Sequence, residues 1–127
     1  MKNIVVLGLG FVGSATGIAI ASCKKKYQVF GSDLNSTEGK RRIDSLNNSI
    51  FPFNTNDQKL KKNLKIVINK EKFQCTHNKD ILLKADVVLI NINFDIINNR
   101  FDLYPFKSAI QDIGSRIKEK TLIIINS

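Results

Sequence analysis

Lys2 to Leu7 is an apolar run of strand length, and it leads without a break into Gly8-Leu9-Gly10-Phe11-Val12-Gly13. No other stretch restricts the fold of this chain so strongly. A G-x-G-x-x-G at the end of a strand has a mechanical reading: Gly8 permits the tight turn, Gly10 lets backbone approach a pyrophosphate without a Cβ in the way, and Gly13 lets the next helix lie close to the sheet. Ser14 to Ser22 supplies that helix, with Val12, Ala15, Ile18, Ala19 and Ser22 at helical spacing, and its opening N–H groups and partial positive charge would face the phosphates. Tyr27 to Ser32 reads as a second strand. It delivers Asp33 to the carboxyl edge of the sheet, 20 residues after Gly13, where a carboxylate accepts from both hydroxyls of an adenosine ribose. The expected fold is α/β, a Rossmann-type doubly wound parallel sheet flanked by helices.

The carboxylate also bears on the choice of dinucleotide. At ~5 Å and an effective dielectric of ~20 it repels each unit charge of a 2′-phosphate by about 3 kcal/mol, which favours NAD over NADP. Lys40-Arg41-Arg42 lies nearby in sequence and could reach a phosphate, although solvation of a helix surface explains those residues about as well.

The rest of the chain continues the alternation with one interruption. Ser36 or Asn35 caps a helix reaching about Leu46. Ile50-Phe51-Pro52-Phe53 and a lysine-rich short helix over Gln58 to Leu64 then break the β–α rhythm, as a loop over the ligand cleft or a packing detour. Phe51 and Phe53 read as core. Ile66-Val67-Ile68 and Lys72 to Cys75 compete for strand three; the second is favoured by the polar turn and the short helix, Lys79 to Lys84, that follow it. Ala85 to Ile92 is apolar on both faces, as a central parallel strand should be, and places Asn91, Asn93 and Phe94 at the border of the cofactor cleft. Asn98-Asn99-Arg100 reads as a loop, and a helix from Tyr104 or Pro105 to Lys118 turns Phe106, Ile110, Ile113 and Ile117 inward. Thr121 to Asn126 reads as another buried strand. Because the chain stops just after it, the expectation is an N-terminal fragment of a longer two- or three-domain enzyme, with residues 1–127 forming one cofactor domain.

Composition excludes more than it suggests. No apolar run approaches the ~20 residues of a membrane span, and the first apolar segment is too short for a signal peptide, so the expected location is the cytoplasm. The net charge of +9 is spread over Lys24-Lys25-Lys26, Lys40-Arg41-Arg42, Lys59 to Lys65 and Lys118 to Lys120 without interleaved stacking aromatics. That reads as a solvated surface, not a nucleic-acid binder. Cys23 and Cys75 stand 52 residues apart with His77 as the only histidine, which argues against a metal site and for two buried reduced thiols.

Taken in order, these blocks resemble the NAD-binding N-terminal domain of the UDP-glucose/GDP-mannose dehydrogenase family. The resemblance runs through Gly8 to Ser14, Gly31-Ser32-Asp33, Asn48 to Phe53, Ala85 to Val88 and Lys120 to Ser127. It implies an enzyme that uses two NAD molecules to oxidise the C6 alcohol of a UDP- or GDP-sugar to a carboxylate through a thiohemiacetal on a catalytic cysteine, making acidic sugars for surface polysaccharides. That cysteine belongs to a second domain; neither Cys23 nor Cys75 matches its position. No catalytic residue is therefore assigned in this chain, which alone should bind a dinucleotide without turnover, and the full-length enzyme should be a homodimer. Gly8, Gly10, Phe11, Val12 and Gly13 would form the pyrophosphate turn and Asp33 the ribose grip.

Three departures fall on the nicotinamide side. Asn93-Phe94-Asp95 stands where the family has Pro-Thr-Pro, Asn126-Ser127 where it has Glu-Ser-Thr, and the acid of the family's Pro-x-x-Glu-Pro loop is missing after Pro52. The alternatives are another two-domain NAD dehydrogenase, of 3-hydroxyacid or 6-phosphogluconate type, and a non-catalytic nucleotide-binding module.

Overall fold

The computed structural model describes residues 1–91 and 95–126. Five parallel strands, β1 (Lys2–Leu7), β2 (Tyr27–Ser32), β3 (Phe73–Cys75), β4 (Val87–Ile90) and β7 (Leu122–Ile125), form one sheet in the order β3-β2-β1-β4-β7. A short antiparallel hairpin, β5 (Asp95–Ile97) and β6 (Arg100–Asp102), stands apart from it. The helices are α1 (Phe11–Ser22), α2 (Thr37–Asn47), α3 (Gln58–Asn69) and α4 (Tyr104–Gly114), with a 3₁₀ helix at Lys79–Lys84.

Strand β1 explains the two-sided core. Successive side chains on a strand point to opposite faces, so Ile4 and Val6 join Ile18, Val29, Ile43, Leu64 and Phe73 beneath α1, α2 and α3. Val5 and Leu7 join Leu82, Val88, Ala109 and Ile113 beneath the 3₁₀ helix and α4. A sheet covered on both faces is the setting in which all-parallel strands occur, and the reversal of order between β1 and β4 opens the crevice at their carboxyl ends.

Four local expectations are corrected. Helix α1 begins at Phe11, not Ser14, and buries Gly13, Ser14, Gly17, Ile18 and Ala21, while Val12 is exposed. The inward stripe is thus rotated by about one residue, because Gly13 and Gly17 have no side chain to hold the helix off the sheet. Helix α3 runs on through Ile66-Val67-Ile68, where Val67 is buried and Ile66 exposed; Asp57 accepts from Leu60 N–H at 3.0 Å and starts it. Strand three is therefore the later candidate. Helix α4 stops at Gly114, before Lys118, and turns Ala109 and Ile113 inward with Ile110 outward. Strand β7 is an edge strand whose Leu122, Ile123, Ile124 and Ile125 are all exposed; an apolar sequence matched the pattern of a covered strand, although nothing among the described residues covers it. The Asn98-Asn99 stretch is the turn of the β5–β6 hairpin, with positive φ at both residues, a conformation asparagine adopts more readily than most residues.

Helix α2 starts where expected, with Ser36 accepting from Gly39 N–H at 3.0 Å. Its far end is tied to β3, since Asn47 accepts from Cys75 N–H at 2.9 Å and donates to the Cys75 carbonyl at 2.8 Å. The loop leading to α3 then crosses above α1, where Phe51 and Phe53 meet Phe11 with ring centroids 5.2 and 5.8 Å away.

Candidate functional site

The glycine turn is built as its spacing requires. Gly8 has φ 97°, a left-handed conformation that other residues adopt only with strain. Its N–H donates to the Ser32 carbonyl at 2.9 Å, which fixes the turn against the end of β2. A Cβ on Gly13 would lie 1.8 Å from the Gly8 carbonyl oxygen and 3.3 Å from Asn91 Cβ, so only glycine allows α1 to sit this close. Ser14 Oγ donates to the Leu9 carbonyl at 2.9 Å and holds the turn from the helix side. Gly10 is the N-cap and no side chain caps α1, leaving its opening N–H groups to a ligand. Phe11 and Val12, in that first turn, are exposed.

Asp33 lies against this turn. It is buried, its Oδ2 accepting from Leu9 N–H at 3.0 Å and its Oδ1 from Leu34 N–H at 2.8 Å. Arg42 Nη1 approaches Oδ2 at 3.3 Å. The guanidinium also lies over the Phe53 ring, 5.5 Å from its centroid. Asp33, Arg42, Phe53 and Phe11 therefore form a continuous wall from the end of β2 to the start of α1. Among the described residues, Arg42 Nε is the one buried side-chain polar atom without a hydrogen-bond partner. A donor left over beside a buried carboxylate is what a ribose hydroxyl or base nitrogen would satisfy. The residues present therefore fit the pyrophosphate and adenosine half of a dinucleotide.

Asn91 is also at this edge. Its N–H donates to the Leu7 carbonyl at 2.7 Å, and its Oδ1 accepts from Asn126 Nδ2 at 2.8 Å. Asn93 and Phe94 lie outside the described residues.

Sequence reasoning missed the individual role of Arg42, treated there only as one of three basic residues. Lys40 is exposed, Arg41 pairs with Glu38 at 3.1 Å, and Arg42 alone turns to Asp33. The signal was its place in α2, just past the acidic strand end. Lys79 was also overlooked. Its ammonium donates to Ser32 Oγ at 2.8 Å and to the Asp33 carbonyl. Phe53, read as core, is only half-buried. A separate open groove of about 670 Å³ lies between residues 49–56 and α3, lined by Phe51, Phe53, Lys61, Lys62 and Lys65 among others.

The cysteines differ from expectation in one respect. Cys75 is buried, but Cys23 is only half-buried and its Sγ makes a weak contact with the Lys25 carbonyl at 3.6 Å. Burial pushes the Cys75 thiol up to about 12. Since the thiolate is the reactive form, iodoacetamide at pH 8 should label Cys23 in the folded chain and spare Cys75 until denaturant is added. Equal native labelling, read by mass spectrometry, would contradict the packing around β3. Among the described residues no group of three His, Cys, Asp or Glu could hold a metal ion.

A parallel sheet whose first strand ends in a glycine turn, with a buried acid at the end of the second, defines a Rossmann-type dinucleotide-binding unit. Residues 2–127 match the model of the UDP-glucose/GDP-mannose dehydrogenase family, NAD binding domain. The chain belongs to that family, and NAD is the cofactor of the domain it matches. It is 30% identical over 127 residues to Protein CapL of Staphylococcus aureus, covering 99% of this chain and 27% of that protein. It is 28% identical over 125 residues to the UDP-N-acetyl-D-mannosamine dehydrogenase of Pyrococcus horikoshii, covering 98% and 28%. The crystal structure of NDP-N-acetyl-D-galactosaminuronic acid dehydrogenase from Methanosarcina mazei Go1 superposes with a TM-score of 0.92 at 25% identity, over 100% of this chain and 27% of that one. The chain thus spans about a quarter of the length of these relatives.

Proposed function

We propose that this chain is the cofactor-binding domain of a nucleotide-sugar 6-dehydrogenase, whose full-length form oxidises the C6 alcohol of a UDP- or GDP-sugar to a carboxylate with two NAD molecules as hydride acceptors. The observation that carries the proposal is the seating of Asp33 on the N–H groups of Leu9 and Leu34, beside the Gly8–Gly13 turn. Gly8, Gly10, Phe11, Val12 and Gly13 hold the pyrophosphate on backbone N–H groups, Asp33 accepts from the adenosine ribose, and Arg42 donates beside it. Asn91, held between the Leu7 carbonyl and Asn126, borders the cleft on the nicotinamide side. The catalytic cysteine lies in a domain beyond this chain, so the 127 residues bind without turning over. The names of the relatives, which act on UDP- and NDP-sugars, support the substrate class. The full-length protein is taken to be a cytoplasmic homodimer that engages neither membrane nor nucleic acid. No helix among the described residues is long and apolar enough to cross a membrane.

Calorimetric titration tests the cofactor assignment. ADP-ribose should bind about as tightly as NAD, because the groups named lie on the adenosine and pyrophosphate side. Arg42 offsets part of the repulsion between Asp33 and a 2′-phosphate, so NADP should bind about tenfold more weakly, not the more than ~100-fold that a lone carboxylate at ~5 Å would impose. Failure of all three to bind the folded chain would favour a non-catalytic module.

A further inference from the structure

Beside Asp33, at the carboxyl edge of the sheet, a small recess is walled by Leu7, Gly8, Leu34, Lys79, Ala109 and Asp112. On the reading above, a ribose gripped by Asp33 carries its base against these walls. Leu7, Leu34 and Ala109 suit the faces of a purine, and an apolar slot would suffice to hold one. Two walls are instead charged, with opposite sign. Lys79 uses two of its three N–H donors on Ser32 Oγ and the Asp33 carbonyl. Burial lowers the pKa of its ammonium, and the charges of Asp112 and Asp33 oppose that shift. Asp112 meets Arg116 Nη1 through Oδ1 at 3.6 Å, and Arg116 Nε also reaches Asp80 Oδ1 at 3.3 Å, so α4 and the 3₁₀ helix are pinned together at the recess. A carboxylate offers about four acceptor sites, which leaves Asp112 capacity for another donor.

We propose that Lys79 and Asp112 read the edge of the cofactor's base, the ammonium donating to a ring nitrogen and the carboxylate accepting from the exocyclic amino group, so that adenine is selected over hypoxanthine. The inference deepens the cofactor reading and rests on it. With Lys79 laid across it the recess has about 10 Å³ of free space, room for one water at most. A purine therefore enters as the lysine stem turns aside and its ammonium passes from Ser32 and Asp33 to the base. With the ammonium on N7, which is an acceptor in both bases, hypoxanthine replaces the neighbouring amino group by a carbonyl, which sets an acceptor against the Asp112 carboxylate and leaves that carboxylate without its donor. Sites built around such hydrogen bonds discriminate strongly against the analogue that lacks them.

The test is calorimetric titration of the chain and of its Lys79→Met and Asp112→Asn variants with NAD and with nicotinamide hypoxanthine dinucleotide, each variant first shown to melt cooperatively. The unsubstituted chain should favour NAD by about tenfold or more. Asp112→Asn should still bind NAD but cut the preference to about threefold or less, since an amide can donate to the carbonyl as well as accept from the amine. Lys79→Met should weaken NAD and narrow the preference. Equal affinity of the unsubstituted chain for the two dinucleotides would overturn the inference while leaving NAD binding intact. NADP binding as tight as NAD, and lost in Lys79→Met, would assign the ammonium to a phosphate and also overturn it. Binding of neither dinucleotide would sink the cofactor reading itself.

Discussion

Alanine at position 13 is expected to abolish measurable NAD binding and to destabilise the chain by about 3 kcal/mol or more. The added methyl would stand 1.8 Å from the Gly8 carbonyl oxygen, a backbone atom held in place by the bond from Gly8 N–H to Ser32. Nothing flexible can give way. Helix α1 must therefore lift from the sheet by more than an ångström, which carries the N–H groups of Phe11, Val12 and residue 13 off the phosphate position, and misplacements of that size cost affinity steeply. Gly114→Ala is the control, because a Cβ there meets nothing within 4 Å. It should leave binding unchanged and raise stability by about 0.4–1 kcal/mol through the unfolded state. Urea denaturation and calorimetry read both effects; wild-type affinity in Gly13→Ala would contradict the cradle.

Replacing Asp33 should have the second-largest effect and reverse the cofactor preference. Asp33→Ala strands the buried N–H of Leu9 and leaves the part-buried N–H of Leu34 and guanidinium of Arg42 without their carboxylate. A loss of about 2–4 kcal/mol of stability follows, with at least ~100-fold weaker binding of NAD. Asp33→Asn is the sharper probe, since the amide nearly matches the carboxylate in size but carries no charge. With the repulsion gone and Arg42 retained, NADP should bind more tightly than NAD. A variant that keeps the preference for NAD would mean that Asp33 does not face the ribose.

Much of this arrangement was legible because it depends on neighbours in sequence. The turn, α1 and Asp33 are set within 33 residues by backbone chemistry, and the alternation of Ile4 and Val6 with Val5 and Leu7 follows from strand geometry. What failed depended on contacts between distant segments. The short helix expected over Gln58 to Leu64 carries on through Ile66-Val67-Ile68, the less favoured candidate for strand three, because Val67 finds the core shared with Leu64. A short apolar run does not by itself separate strand from helix. The exposed β7 shows the same limit, since apolar residues indicate a need for cover without saying which segment supplies it. Arg42 and Lys79 could not be singled out among 20 basic residues until the fold brought both to Asp33.

The most direct test of the cofactor cradle is a titration of the isotopically labelled chain with ADP-ribose, followed by backbone amide NMR. The largest shifts should fall on Leu9, Gly10, Phe11, Val12, Gly13 and Leu34. Shifts centred instead on residues 49–56 and the α3 lysines, with the glycine turn unmoved, would place the ligand in the separate groove and contradict the site described.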